Sequence, residues 1–462
     1  MIARIVVVCG LAAASFSAIA AETLKGRVAE VTGDQISVRI EGDLAPIPGD
    51  PVTISVTHDV LGEISVGQWA VTSVAGRVVT ADLKSATGPA ATGMVAAIRS
   101  DAPVPVEEDV AGGEGAGADL RSEADAALFH AVGKNDLKGF RSALDTGASL
   151  TARDNTGHRA IDIAVQMCRY DFIVELSNRG ADILAPDFLN VSPMLHAADK
   201  SRCWRGVALF AEAGGDVDVR TPSLKGVRPV LDGATPLMVA TLIGEADTVL
   251  LLLALGADTD LTNSKGQTAL DIVDIARETG RKAAALDIIA QALSDLTARK
   301  EHVADFLNEA LFDATRKQDG ALVGILLRVG GNPKAEADDE KIIIYAVKKG
   351  SGDIVDQLLN AGADPNVFDE NGEDTALMEA VRKENIEVTK LLLKAGAQPN
   401  TVGDRNQGPL YWAASRGNVE IFEILLEAGA DTEVRNERGV TPLERVDPEQ
   451  RAEFEALVAR YR

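Results

Sequence analysis

Two hydrophobic rhythms divide the chain. Over residues 22–100 apolar and polar residues alternate, the period of a strand with one buried face. Residues 26–40 and 68–83 each carry that alternation across a tight turn, at Gly33 and Asp34 and at Gly76 and Arg77, so each predicts a hairpin. Residues 51–57 and 93–98 supply further strands. Short strands between Gly/Pro turns predict a small all-β, barrel-like domain.

From residue 121 the text turns helical. Residues 375–400 read TALMEAVRKENIEVTKLLLKAGAQPN. A first helix is expected from Thr375, a turn near Glu384 and Asn385, and a second helix over 387–394 that Gly396 stops. A leading Thr caps the open N–H groups of a helix start. Pro at the next position, as at Pro236 and Pro442, loses nothing there. Small Ala residues let the two helices approach, the Leu pair buries, and Gly takes the left-handed cap. The sentence recurs at 408–431 (GPLYWAASRGNVEIFEILLEAGAD) and 235–258 (TPLMVATLIGEADTVLLLLALGAD). The leading apolar residue recurs at Leu128, Ile161, Met194, Leu237, Leu270, Leu311, Ile343, Leu377, Leu410 and Leu443, in steps of 33, 33, 43, 33, 41, 32, 34, 33 and 33.

These residues resemble the ankyrin repeat, whose unit is about 33 residues with a T-P-L-H-x-A opening. The resemblance implies a mainly α, ankyrin-repeat solenoid of about ten repeats, since one helix pair cannot bury its apolar face alone. The long steps mark departures. Residues 221–233 are an insertion, expected to lengthen one hairpin finger. Repeat five has no G-A-D ending, and a long helix is expected over 281–297. Repeat six opens as ALFDA, much as repeat one opens as ALFHA. Two readings stay open: two five-repeat blocks, 121–299 and 300–462, or one continuous stack.

The first 21 residues read as a secretory leader, with Arg4, an apolar core and Ala18 and Ala20 at small-x-small spacing. Its bacterial style predicts an exported, periplasmic protein with no membrane span in the mature chain. Residues 101–120 form an acidic Pro/Gly linker, with Asp101, Glu107, Glu108, Asp109, Glu114 and Asp119 and no base before Arg121. A net charge of −24 over 462 residues argues against nucleic acid as a partner. Neither phosphate loop nor nucleophile elbow occurs, and His58, His130, His158, His196 and His302 lack metal-ligand spacing. No cofactor, metal or catalytic residue is therefore expected.

The resemblance places partner contacts on the concave face, at hairpin tips and first-helix ends. Those end positions in repeats 6–9 read Arg316, Lys317, Lys348, Lys349, Arg382, Lys383, Ser415 and Arg416, seven bases of eight. Stacking would set them in a ladder with steps of about 10 Å, suited to an acidic protein segment. The alternative is a solvated face on which the bases complement helix dipoles. In the first half Met167, Leu242 and Ile243 would form an apolar patch, unless the insertion buries it. Cys168 and Cys203 lie near helix–helix turns of adjacent repeats, two residues out of register. They form either a disulfide, which export permits, or two free thiols. The implied function is a non-enzymatic protein–protein interaction scaffold. The alternative is an accessory or regulatory subunit of an envelope enzyme, or small-ligand binding through the β domain.

Overall fold

The computed structural model describes residues 22–461 except 33, 42–43, 47–49, 59–61, 76–77, 87–94, 101–103, 106–121, 155–156, 188, 224–229 and 338. The leader read in residues 1–21, most of the acidic linker and the middle of the insertion thus lie outside the described residues.

The strands are β1 (Glu22–Thr32), β2 (Gln35–Glu41), β3 (Leu44–Ala45), β4 (Pro51–His58), β5 (Gly62–Ala75), β6 (Val78–Ala86), β7 (Val95–Ser100) and β8 (Val104–Pro105). Six of them close into an antiparallel barrel in the order β1-β2-β6-β5-β4-β7, with β7 returning to β1. Closure abolishes the unpaired edge that a small sheet would otherwise expose. Bulges between Val28 and Glu30, Ile54 and Ser55, and twice in β5 let the strands bend around the axis. Alternate residues point inward, as Ile36, Val38 and Ile40 do on β2 against Val52, Ile54, Val79 and Ile98. Trp69 fills the interior beside Gly67, where a Cβ would lie 2.6 Å from the indole and 2.8 Å from the Ser85 carbonyl. The short strands β3 and β8 pair separately.

Among the described residues the α-helices come as ten pairs. The first five are α1 (Glu123–Lys134) with α2 (Leu137–Asp145), α3 (Ala160–Gln166) with α4 (Tyr170–Asn178), α5 (Pro193–Ala198) with α6 (Trp204–Glu212), α7 (Pro236–Ile243) with α8 (Ala246–Ala254), and α9 (Ala269–Glu278) with α10 (Ala283–Ser294). The next are α11 (Leu296–Arg316) with α12 (Gly320–Arg328), α13 (Ile342–Lys349) with α14 (Gly352–Asn360), α15 (Ala376–Arg382) with α16 (Ile386–Lys394), α17 (Pro409–Arg416) with α18 (Val419–Glu427), and α19 (Pro442–Arg445) with α20 (Arg451–Tyr461). A small ladder of β9 (Glu336–Ala337) and β10 (Glu340–Lys341) precedes α13. The expected caps are in place: Thr235 and Thr375 accept from the backbone N–H three residues on, and Thr268 and Thr441 form full capping boxes with Asp271 and Glu444.

First helices stack on first helices and second on second, from α1 to α10 and again from α11 to α20. The rule breaks once. Instead of extending the first-helix row from α9, α11 lies against α8 and α10, and α12 lies against α6. The second stack therefore starts on the second-helix layer of the first. One expectation is corrected here: 281–297 is not one helix. It ends at Ser294, and Asp295, in an extended conformation, caps a new helix through the N–H groups of Thr297 and Ala298. An Asp acceptor at that point is worth more as a cap than as an interior helical residue. The insertion is anchored at both ends. Thr221 hydroxyl donates to the Leu231 carbonyl, Ser223 bonds Asp232 at 2.6 Å, and Arg220 reaches the Thr262 carbonyl at 2.6 Å.

The first-helix row as candidate partner-binding face

The bases expected as a ladder all come at the ends of first helices, but most meet acids of their own chain. Lys348 Nζ lies 2.7 Å from Glu340, eight residues earlier in the hairpin. Arg382 repeats the device with Asp374, again eight residues back, at 2.5 Å. It also holds Glu379 at 2.7 Å, which Lys383 approaches at 3.7 Å. Lys317 bonds Asp313 at 2.8 Å. Each pair ties a finger or helix turn to the helix end and withdraws a charge from the surface. The more exposed of them, Lys317–Asp313 and Lys348–Glu340, contribute about 0.2–1 kcal/mol each. The hydrogen bond to Glu340 holds the Lys348 ammonium above its usual range, against the opposing effect of burial. Arg316, Lys349 and Arg416 remain exposed.

Aromatic rings complete the row. Lys349 Nζ stands 5.3 Å from the Tyr345 ring centre, and Arg382 Cζ 5.5 Å from that of Trp412, one repeat on. Tyr411 and Trp412 meet edge to face at 6.0 Å. Cations stacked on half-buried rings keep planar, adaptable contact surface in place. The sequence carried a signal for the ion pairs that the repeat reading passed over: an acid and a base eight apart, recurring one repeat later.

Asp374 shows which force dominates. Burial raises its carboxyl above the ordinary value, Asp369, Glu379 and Glu373 add to the rise, and Arg382 opposes it without prevailing. A carboxyl with a raised folded value is most compatible with the fold when protonated, so its ionised form weakens the fold at neutral pH. Asp374→Asn is therefore expected to raise the melting temperature at pH 7. That gain should vanish as pH falls below the unfolded carboxylate range, where wild-type Asp374 is protonated in both states. An equal gain at every pH would refute the argument.

The apolar patch needs correcting. Met167 is 43% exposed, but Leu242 is only 6% exposed. Its helix α7 is buried from Pro236 to Leu242 because it sits inside the row, between α5 and α9. Ile243 is half-buried. Next to Met167, the sulfurs of Cys168 and Cys203 are 2.17 Å apart, with Cα atoms at 5.5 Å, which is disulfide geometry. The two-residue mismatch in register is absorbed by the turn between α5 and α6, which is longer than that between α3 and α4.

Two histidines explain themselves by packing. His196 on α5 bonds Asp187 in the preceding finger at 3.0 Å, with side-chain exposures of 3% and 1%. His302 bonds Gln291 at 3.0 Å. Among the described residues no cluster of His, Cys, Asp and Glu is suited to a metal ion. Neither is any helix long and apolar enough to cross a membrane. A cleft between the last two fingers, lined by Pro399, Asn400, Asn406, Tyr411, Asp431 and Pro442, has a volume of about 10 Å³, the space of about one water.

Comparison with known proteins supports the same fold. A model of ankyrin repeats in three copies matches residues 311–403 and 343–436, and a single ankyrin-repeat model matches 232–264. The ZDHHC13 protein of Danio rerio, whose name is that of a palmitoyltransferase, is 28% identical over 156 residues. That match takes in 34% of this chain and spans 22% of the relative's length. Ankyrin repeats are protein–protein interaction modules, and residues 232–264 and 311–436 of this chain, with their helix pairs and caps, are ankyrin repeats.

Proposed function

We propose that the protein is a non-enzymatic scaffold that binds a partner protein along the first-helix row of α13, α15 and α17, in an exported compartment. The observation that carries this is the run of cations over half-buried rings, Lys349 on Tyr345 and Arg382 on Trp412. That surface offers aromatic area, and guanidinium and ammonium donors already held in place by Glu340, Asp374 and Glu379. Side chains ordered beforehand lose less entropy on binding. The partner's complementary feature is a short acidic segment, which would meet Lys349 and Arg416 and compete with Asp374 for Arg382. Export to a periplasm-like compartment is supported by the leader pattern in residues 1–21 and by the paired cysteines.

The test is photo-crosslinking of the full chain, with the crosslinker at Tyr345 or Arg416, or at Lys390 on a second helix, or at Lys84 on the barrel. A partner captured from Tyr345 and Arg416 and lost on Arg382→Glu supports the reading. Capture from Lys84 alone moves the site to the β domain. The regulatory-subunit or small-ligand reading would then take its place.

A further inference from the structure

We propose that the Cys168–Cys203 disulfide is a redox-operated latch for the junction between the two helix stacks, released by a dithiol. The inference is independent of whether the first-helix row binds a partner.

Cys168 occupies the left-handed turn position before α4, with φ of 52°. Cys203 is the residue just before α6 and is fully buried. Three residues that lie toward the second stack, Tyr170, Trp204 and Arg205, are within two positions of the bond. Trp204, next to Cys203, meets Phe306 of α11 edge to face at 5.4 Å. Arg205 bonds Asp313 of α11 at 2.5 Å while its guanidinium lies 5.5 Å from the Trp204 ring and 6.0 Å from that of Tyr170. Tyr170, two residues after Cys168, faces Asp319, the cap of α12. Burial first, and then that carboxylate, push its hydroxyl above the ordinary phenol range. Asp313 is driven the other way: burial acts to raise it, but Lys317 and Arg205 outweigh that and keep it low. The bond thus fastens together two helix starts that touch the second stack, beside the contacts that α8 and α10 make with α11.

Reduction replaces a covalent bond by a non-bonded contact between two thiols, which must move apart. Cys203 is 0% exposed, at the start of a helix that packs against both α4 and α8. A packed interior passes such a displacement on to its neighbours, here Trp204 and Arg205. Cys168, partly buried where Cys203 is fully buried, is the point of attack. A thiolate of the dithiol attacks it, the S–S pair leaves on the Cys203 sulfur, and that sulfur takes a proton. The second thiol of the reagent then resolves the mixed disulfide and frees Cys168 as a thiol. Two electrons and two protons pass to the protein, and the dithiol becomes a cyclic disulfide. The departing charge on Cys203 forms at the N-terminus of α6, where open N–H groups favour an anion.

Hydrogen exchange on the full chain, before and after dithiothreitol, tests this. Peptides of α11, α12 and the starts of α4 and α6 are expected to exchange at least tenfold faster once thiol titration shows both cysteines reduced. Those of α16 and α18 should not change, and reoxidation should restore protection. Cys168→Ser, at the less buried position, should reproduce the reduced pattern without reagent. Arg205→Ala should loosen α11 and α12 with the bond intact. Unchanged α11 and α12 exchange in the reduced protein overturns the proposal. So does a uniform rise through every helix, which would make the bond a general staple. An Arg205→Ala protein with wild-type exchange also overturns it, since the residues beside the bond would then not hold the junction.

Discussion

Replacing Asp187 by alanine should destabilise the first stack by about 3–5 kcal/mol, although the residue lies in a hairpin finger rather than a helix. Its Oδ1 accepts from the N–H groups of Leu189 and Val191, both at 2.9 Å, and its Oδ2 pairs with His196 at 3.0 Å. Alanine removes these acceptors at once. A buried donor left unpaired costs about 1–3 kcal/mol, and groups sharing one site do not add independently, which sets the expected range. Asp154, Asn263, Asp369 and Asn436 make the same turn in other fingers by accepting from N–H groups two to five residues on. Asp187, 6% exposed, is also bonded to a buried histidine of the next helix. Asp187→Asn keeps the Oδ1 acceptor and should lose markedly less. Urea unfolding followed by circular dichroism reads both, and a loss below about 1 kcal/mol for Asp187→Ala would show that water replaces the carboxylate.

That finger shows how much of this chain is legible as text. The helix pairs are, because each repeat writes the same local instructions: Thr as cap, small Ala between helices, Gly in the left-handed turn. Even where the letters change, the geometry persists. Cys168, Arg202, Gln318 and Glu384 take positive φ at the place held elsewhere by Gly244, Gly350 and Gly417. The barrel hairpins are legible too, since inward residues such as Ile36, Val38 and Ile40 alternate with polar ones. The junction is not. Nothing local at Trp204, Arg205 or Tyr170 announces that a helix a hundred residues later will lie across them. Such contacts depend on how two stacks meet, which repeat spacing does not encode.

The candidate face was legible in place but not in charge. Repeat register located Lys348, Lys349, Arg382 and Lys383 at helix ends, yet it treated them as a bare ladder. Glu340 and Asp374 belong to the finger preceding each helix, so a reading that compares only equivalent helix positions overlooks them. Their ion pairs turn a cationic stripe into a mixed surface whose free groups are Arg316 and Arg416, with Lys349 laid over Tyr345. An acidic partner must therefore exchange ion pairs rather than simply neutralise a patch. Binding of that kind is sensitive to salt and to the geometry of both sides.

Phe454→Ala should remove about 3–5 kcal/mol of local stability, and where that loss appears tests whether the two stacks unfold as one body. Phe454 is fully buried in α20 and meets Phe422 of α18 edge to face at 4.7 Å. In a stacked-repeat chain each unit is stabilised by its neighbours alone, so damage at an end frays inward. Hydrogen exchange should accelerate strongly in α18 and α20, weakly in α16, and not at all in α1 to α8. The other end of the second stack is not free in the same way. There α11 and α12 rest on α6, α8 and α10, and Arg328 holds Glu212 at 2.5 Å, so fraying has only one direction in which to start. Because each repeat is secured by its neighbours alone, the disturbance fades before it reaches the junction at α11. The first five pairs are spared, because the contacts that secure the junction lie at the opposite end from Phe454. Equal acceleration in both stacks would mean that the chain unfolds as one cooperative body and that the break at α11 is geometric without being energetic.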